Sequence, residues 1–339
     1  MEASMKKRGM LFSGTSHPGL AEEIAAHLGM RLGEVEIRPF ADGSIYCRFS
    51  ESVRGADVFV IQTHCDPIND MIMEQLVMID ALKRASAKRI NAVVPSFGYT
   101  RQDRKALARE PITARLVADL FQVAGADRVL TVDLHSGQIQ GFFDIPVDHL
   151  TAFPRLADYI HEKYGEDLVV VAPDAGGARL ADKYSRHLKA GVAFAQKRRR
   201  ADRPNQSETI GLVGDIEGKF CVLVDEMIDT GGSLIGAANL LLEQGATGVI
   251  AAATHPIFSG KAIENLEKSP LEEVIVTNTL PIPPEKQIEK ITVLSIAPIV
   301  ASTIKAVFED ESVSEIFQGE HLEAIPPERE IHGFEDEEL

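Results

Sequence analysis

Tryptophan is absent from this 339-residue sequence, and its only cysteines are Cys47, Cys65 and Cys221. An odd, sparse set of cysteines excludes a disulfide framework, and none of the spacings matches a CxxC metal site. No stretch approaches the roughly 20 apolar residues of a membrane-spanning helix. The basic start of the chain is not followed by an apolar run of signal-peptide length. We therefore expect a cytoplasmic protein with no membrane partner.

Positive charge is also in short supply. The 35 Lys and Arg residues stand against 51 Asp and Glu residues, a formal net charge of -16. Such a surface repels polyanions, which argues against nucleic acid as the main partner, although local basic patches can still bind phosphates. A hydrophobic fraction of 45% is ordinary for a globular protein. The length exceeds what one compact core usually takes, so we expect two domains.

The sequence also lacks a Walker A phosphate-binding loop. The nearest approach, at residues 214–220, has the wrong spacing and carries Phe220 where Ser or Thr should follow the lysine. A nucleoside triphosphate would therefore have to be held in another way.

What the chain does have is a regular alternation of short β-branched runs and longer stretches of helical period. This alternation predicts an α/β fold of mainly parallel sheets flanked by helices. The rhythm occurs twice, which predicts domains at 8–150 and 151–318, and residues 319–339 have the composition of a disordered acidic tail. The predicted strands lie at 58–62, 90–94, 129–133, 168–172, 220–224, 248–252 and 274–277, and the predicted helices at 69–87, 113–124, 153–164, 177–188 and 233–244.

The strongest local signal is the segment 222–234, which reads VLVDEMIDTGGSL. An apolar strand is predicted to stop at Asp225 and Glu226, and a glycine-containing turn leads into a helix. Free amides and the positive end of a helix favour an anion, ideally a phosphate. The two acids would repel that phosphate, and could instead accept hydrogen bonds from sugar hydroxyls or help to hold Mg²⁺.

This segment resembles the phosphoribosyl-pyrophosphate motif shared by type I phosphoribosyltransferases and ribose-phosphate pyrophosphokinases. The resemblance implies a ribose 5-phosphate site formed by Asp225, Asp229, Thr230, Gly231, Gly232 and Ser233.

Further segments are similar to the pyrophosphokinase family alone. The stretch 97–105, FGYTRQDRK, looks like the family's ATP loop, which implies nucleotide contacts from Arg101 and Gln102. Arginine and glutamine side chains suit phosphate oxygens and adenine edges. The segment 40–44, FADGS, resembles a loop that the family places against the nucleotide of a neighbouring subunit, so Phe40, Asp42 and Gly43 are expected to bind ATP. Ser44 stands where the family usually has Glu.

Two residues are implied as Mg²⁺ ligands by the same resemblance. His135 lies in TVDLHSGQIQGFF, at 131–143, and Asp174 lies in APDAGG, at 172–177. Carboxylate is a natural ligand for Mg²⁺ and imidazole is a less usual one, so chemistry favours Asp174. The family often carries basic residues just after this point, where the present chain has RLAD at 179–182.

A basic segment, AQKRRR at 195–200, leads into a polar stretch that contains Pro204. It resembles the family's flexible catalytic loop, which implies that Lys197 and Arg199 are catalytic and that Arg199 also contacts ribose 5-phosphate. Arg200 and the sequence around 202–204 depart from the family's pattern.

The resemblance covers about residues 8–318. It implies two similar type I phosphoribosyltransferase-like domains, with the last helix packing on the first domain. The implied reaction moves the β,γ-pyrophosphate of MgATP to the 1-hydroxyl of ribose 5-phosphate, with Mg²⁺ as cofactor. The family forms homo-oligomers, typically hexamers. Two alternatives stay open: a phosphoribosyltransferase, which would not release AMP, and a non-catalytic regulatory paralogue.

Overall fold

The computed structural model describes residues 7–199 and 207–313, and for 197–199 and 207–210 it describes the backbone alone. Strands and helices alternate along both halves of the chain, as the sequence predicts. The strands are β1 Gly9–Ser13, β2 Val35–Pro39, β3 Ile45–Phe49, β4 Asp57–Ile61, β5 Arg89–Val94, β6 Arg128–Val132, β7 Val147–Leu150, β8 Leu168–Ala172, β9 Gly191–Arg199, β10 Ser207–Val213, β11 Phe220–Ile228, β12 Gly248–Pro256, β13 Val274–Thr277 and β14 Ile291–Leu294. The helices are α1 Pro18–His27, α2 Ile68–Arg84, α3 Thr113–Ala124, α4 Phe153–Tyr164, α5 Ala178–Leu188, α6 Gly232–Glu243, α7 Ala262–Lys268 and α8 Ala297–Glu309.

Each half of the chain builds one large sheet, and β2 and β3 of the first half form a separate two-stranded sheet. The first sheet has the strand order β1-β4-β5-β6-β7 and is parallel throughout. The second has the order β10-β9-β8-β11-β12-β13-β14 and is parallel apart from the pair β9–β10. Each half also contains an antiparallel hairpin. In the first half the hairpin β2–β3 follows helix α1, and in the second half the hairpin β9–β10 follows helix α5, which occupies the corresponding place in the chain. The mixed α/β architecture expected from the sequence is confirmed, and the shared order supports an internal duplication.

The predicted strands are buried on both faces, as parallel strands between helices must be. Strands β4, β8, β12 and β13 are buried along their whole length. The prediction was wrong at β11, which does not stop at the acids but runs on to Ile228. The reason is the length of β12, whose His255 and Pro256 pair with Met227 and Ile228 and so extend the ladder.

One hydrophobic cluster joins the two halves. It contains Leu11 and Val132 from the first sheet together with Val170 and Ile250 from the second. Helix α8 follows the second sheet in the chain but packs against α1 in this same cluster. The domain boundary at residue 150 therefore stays a prediction, because a single cluster of buried side chains extends from one half of the chain into the other.

The C-terminal end of α8 is tied to the first half by charge. Asp310 accepts hydrogen bonds from Lys7 and Arg89, each at 2.6 Å. The predicted acidic tail, 319–339, lies outside the described residues. None of the helices in the described ranges is both long and apolar enough to cross a bilayer.

Candidate active site between the two sheets

The carboxyl ends of the two sheets face each other across a cleft of about 910 Å³. Parallel α/β sheets bind ligands at this edge, because the loops that follow the strands converge there. The walls come from the segment after β5, from the end of β6, and from the segments after β11 and β12. Arg101, Gln102 and Asp229, all predicted to bind substrates, line this cleft.

The loop after β11 has the form that the sequence predicts. Gly231 is the N-cap of α6, with φ 76° and ψ -6°, a left-handed conformation that favours glycine. Gly232 is the first residue of the helix, and both Gly232 and Thr230 are exposed. The loop therefore lies at the positive end of a helix with two of its residues open to solvent, which suits an anion site.

Asp229 joins this loop to the opposite wall of the cleft. Its carboxylate accepts a hydrogen bond of 2.8 Å from Nη1 of Arg101 and another from the hydroxyl of Ser259. Burial alone would raise the pKa of Asp229, but these two hydrogen bonds and the charge of Arg101 together outweigh it and lower the pKa. The predicted ATP loop and the predicted ribose 5-phosphate loop thus meet directly across the cleft.

A cluster of acids lies beside the loop, at the end of β11. Burial, reinforced by the neighbouring carboxylates of Glu226 and Asp174, raises the pKa of Asp225 to about 7. Asp174 follows β8 and caps a 3-10 turn, accepting hydrogen bonds from the amides of Gly176 and Gly177 at 2.9 and 3.3 Å. Acidic side chains are therefore concentrated where two predicted site residues, Asp225 and Asp174, lie near Glu226.

His135 reaches this cluster from the other half of the chain. Its Nδ1 lies 3.0 Å from Oε2 of Glu226. The hydrogen bond with Glu226 raises the pKa of His135. A carboxylate on one ring nitrogen fixes the imidazole and leaves the other nitrogen for a ligand, an arrangement that recurs around metal-binding histidines.

The predicted ATP loop is a short 3-10 turn at Thr100–Gln102, entered through Tyr99 in a left-handed conformation with φ 62°. Tyr99 donates a hydrogen bond of 2.6 Å to Asn69, and Gln102 accepts one of 2.5 Å from Thr113. Both helices that follow the neighbouring strands, α2 and α3, therefore hold the turn in place.

The loop at 40–44 lies at the tip of the hairpin β2–β3, away from the cleft walls that the described residues form. Phe40 is 46% exposed, and Gly43 has φ 85°. Ser44, the departure from the family's glutamate, has a local function, since its amide and hydroxyl donate to Asp42 at 3.0 and 2.6 Å. These hydrogen bonds lower the pKa of Asp42.

Lys197 and Arg199 lie on β9, where their backbones pair with Thr209 and Ser207 of β10. The basic segment thus continues an antiparallel hairpin up to Arg199. Arg200 and the residues 202–204 lie outside the described part of the chain.

Two residues at the site were not among the predicted contacts. Glu226 belongs to the predicted acid pair but has no predicted role of its own, and Ser259 has no predicted role. Ser259 follows β12, the strand next to β11, so its position after an adjacent parallel strand is the signal that could have found it.

Known proteins with similar sequences belong to one family. The sequence profile of the N-terminal domain of ribose phosphate pyrophosphokinase matches residues 9–125, and that of the phosphoribosyl synthetase-associated domain matches 197–318. The ribose-phosphate pyrophosphokinase of Clostridium acetobutylicum is 53% identical over 91% of this chain and 97% of the relative. This chain belongs to the ribose-phosphate pyrophosphokinase family.

Other relatives of this family agree. The ribose-phosphate pyrophosphokinase of Streptomyces avermitilis is 54% identical over 92% of this chain and 97% of the relative. The crystal structure of phosphoribosylpyrophosphate synthetase from Mycobacterium smegmatis has 52% identity and a TM-score of 0.85, and the match covers 90% of this chain and all of that one. The chain is therefore an enzyme of the pyrophosphokinase type, which favours this reading over a phosphoribosyltransferase or a non-catalytic paralogue.

Proposed function

We propose that this enzyme transfers the β,γ-pyrophosphoryl group of ATP to ribose 5-phosphate, giving phosphoribosyl pyrophosphate and AMP. The oxygen of the 1-hydroxyl forms a bond to the β-phosphorus, the bond from that phosphorus to the bridging α,β-oxygen breaks, and the hydroxyl proton is released. The observation that carries the proposal is the glycine loop at the start of α6, which faces Arg101 across the cleft through Asp229.

Ribose 5-phosphate would bind with its phosphate on the loop formed by Asp229, Thr230, Gly231, Gly232 and Ser233. The free amides at the start of a helix and the helix dipole favour an anion there. Asp225, one strand position before the acid that holds His135, would accept hydrogen bonds from the ribose hydroxyls. Burial is the main cause of its raised pKa and the nearby carboxylates of Glu226 and Asp174 add to it, so a bound cation or sugar hydroxyls would stabilise its charged form.

ATP would bind on the opposite wall, with Arg101 and Gln102 as its contacts. Phe40, Asp42 and Gly43 would complete the nucleotide site from a neighbouring subunit of a homo-oligomer, which we propose to be a hexamer. The support is the exposure of Phe40 at a hairpin tip, where its ring can cover an adenine supplied by another copy.

Enzymes that transfer phosphoryl groups from ATP generally need a metal ion. We propose Mg²⁺, held by His135 and Asp174, and the donor set fits this ion in part. Asp174 belongs to a cluster of carboxylate oxygens, which Mg²⁺ prefers, and His135 is held by Glu226 with its second ring nitrogen turned from that contact. Among the described residues no three such side chains lie close enough to hold a metal alone, so substrate phosphates would supply further oxygens. When bound, the ion would neutralise charge on those oxygens.

Lys197 and Arg199 are proposed as the catalytic residues. In-line displacement at phosphorus needs positioned groups and neutralised charge more than covalent help. Both residues lie in the C-terminal part of β9, and their side chains would stabilise the charge that develops on the transferred group, with Arg199 also contacting ribose 5-phosphate. The three cysteines are free thiols, which suits the cytoplasmic location that we propose.

The test is the formation of AMP from ATP, followed by ³¹P NMR in the presence of ribose 5-phosphate and Mg²⁺. We expect equimolar AMP and phosphoribosyl pyrophosphate, and no AMP when ribose 5-phosphate is omitted. Lys305 is an exposed lysine on α8, away from the proposed catalytic residues on β9. Lys305→Ala is therefore the matched control for Lys197→Ala and should keep full turnover. Binding of ribose 5-phosphate without any AMP would contradict the proposal.

A further inference from the structure

Asp133, the residue directly after β6, has a strained backbone. Its φ is 39°, in the left-handed region that residues other than glycine rarely adopt. Such a conformation costs on the order of 1–3 kcal/mol and persists only where surrounding contacts enforce it. Asp133 lines the cleft and lies two residues before His135 in the chain. The strain is therefore located where the first half presents a predicted metal ligand.

Contacts from both halves of the chain hold this turn. Within the first half, the amide of Leu134 donates to His149 at 2.9 Å. The amide of Ala152, two residues past the predicted boundary at 150, donates to the Asp133 carboxylate at 2.9 Å. From the second half, the hydroxyl of Thr254 donates to the same carboxylate oxygen at 2.6 Å. His255 then approaches the Asp133 carbonyl oxygen, with its Nε2 at 3.0 Å.

The contacts of His255 fix its tautomer. A carbonyl oxygen only accepts hydrogen bonds, so Nε2 carries a proton and donates it to Asp133. Nδ1 lies 2.9 Å from the hydroxyl of Thr279 and can accept from it. His255 is 4% exposed and Thr279 is fully buried, and burial lowers the pKa of His255, which keeps the ring neutral. The ring thus acts as a fixed donor aimed across the boundary between the halves.

We propose that Thr254 and His255 are positioning residues, which hold Asp133 in its left-handed turn and thereby place His135 beside Glu226. The inference rests on the proposed function, because it takes His135 to be a ligand of the metal. Apolar side chains at the end of a buried strand would fill the same space without donating to Asp133. Burying a polar donor costs free energy unless it is hydrogen-bonded, so the need to hold the strained turn explains these two residues better than packing does.

Two substitutions of His255 separate its two hydrogen bonds. His255→Gln places an amide nitrogen near the position of Nε2 and can keep the donor to Asp133. His255→Asn keeps only an acceptor near the position of Nδ1. Thr254→Val removes the second donor with almost no change of shape. Thr303→Val, at a fully buried threonine whose hydroxyl bonds within helix α8, is the matched control.

The readout is the affinity for Mn²⁺ in the presence of α,β-methylene-ATP, measured by electron paramagnetic resonance beside the melting temperature. We expect His255→Asn and Thr254→Val to weaken Mn²⁺ binding about 10-fold or more, the usual effect of losing support around a metal ligand. His255→Gln should recover most of the affinity, and Thr303→Val should lower only the melting temperature. Equal affinities for the Gln and Asn variants, or wild-type affinity in both His255→Asn and Thr254→Val, would overturn the proposal.

A separate control tells failure of this inference from failure of the proposed metal role. If His135→Ala binds Mn²⁺ as the wild type does, His135 is not a ligand and that part of the proposed function fails. The positioning of Asp133 is then decided by the crystal structure of His255→Asn. We expect its Asp133 to leave the left-handed region, and an unchanged φ would overturn the inference.

Discussion

Gly231 offers a way to measure how firmly the loop before α6 holds its shape. Its φ of 76° lies in the left-handed region, where a side chain costs about 1–2 kcal/mol. A Cβ added here would lie 3.6 Å from side-chain atoms of Ile235 and Leu266, which is ordinary contact. The penalty of Gly231→Ala is therefore a backbone penalty rather than a clash.

This penalty can be expressed in two ways, because the loop can either keep its shape or relax. If it keeps its shape, the whole penalty lowers the free energy of unfolding. If it relaxes in the free enzyme, the ligand-bound shape must be restored when ribose 5-phosphate binds. We expect relaxation, since Thr230 and Gly232 are exposed. The dissociation constant should then rise by about 5- to 30-fold, the equivalent of 1–2 kcal/mol.

Gly29→Ala is the matched control. Gly29 has φ 62° and nothing within 4 Å of an added Cβ, and it follows α1 rather than the loop. Isothermal titration with ribose 5-phosphate and urea unfolding should be run on both variants. Gly29→Ala should lose about 1–2 kcal/mol of stability with an unchanged dissociation constant. If Gly231→Ala also lost stability with an unchanged dissociation constant, our reasoning would be refuted. That result would show that the loop keeps its shape in the variant and that the substitution does not affect binding of ribose 5-phosphate.

Three further predictions concern catalysis and proton binding. Lys197→Ala should lower kcat by orders of magnitude with little change in ATP affinity, and near-normal turnover would remove Lys197 from the mechanism. Glu226→Gln should lower the pKa of His135, because the hydrogen bond that raises it loses its charge; an NMR titration with no change would contradict the contact. His64 accepts a hydrogen bond from the Gly98 amide at 2.8 Å, and burial lowers its pKa from 6.5 to about 4. The unfolded chain then binds more protons, so the free energy of unfolding should fall by roughly 3 kcal/mol as pH drops from about 6.5 to 4. In urea unfolding at several pH values, His64→Asn should lack this part of the pH dependence.

Much of the fold could be predicted from hydrophobic period. The bounds of α3, α4, β8 and β13 agree with the predicted ones, because each is an apolar run or stripe closed by a clear change of pattern. The hairpin β2–β3 lies outside the predicted strands, because its residues are half-buried at best and carry no apolar run. Local sequence also could not reveal how far β11 extends, because that depends on the partner strand β12.

The candidate site shows the same division. A local motif was enough to place Asp229 on a loop before a helix, since glycine and strand patterns are read from neighbouring residues. The contacts of Asp229 with Arg101, of His135 with Glu226 and of Asp133 with His255 join residues 91 to 128 positions apart. They arise from the way the two sheet edges meet, which no local pattern contains.

A crystal structure of the enzyme with ribose 5-phosphate tests the central claim most directly. Our account predicts the 5-phosphate within hydrogen-bond distance of the backbone amides between Thr230 and Ser233, with Arg101 released from Asp229 or shared with the ligand. Density for the sugar phosphate elsewhere, with those amides facing only water, would contradict the account.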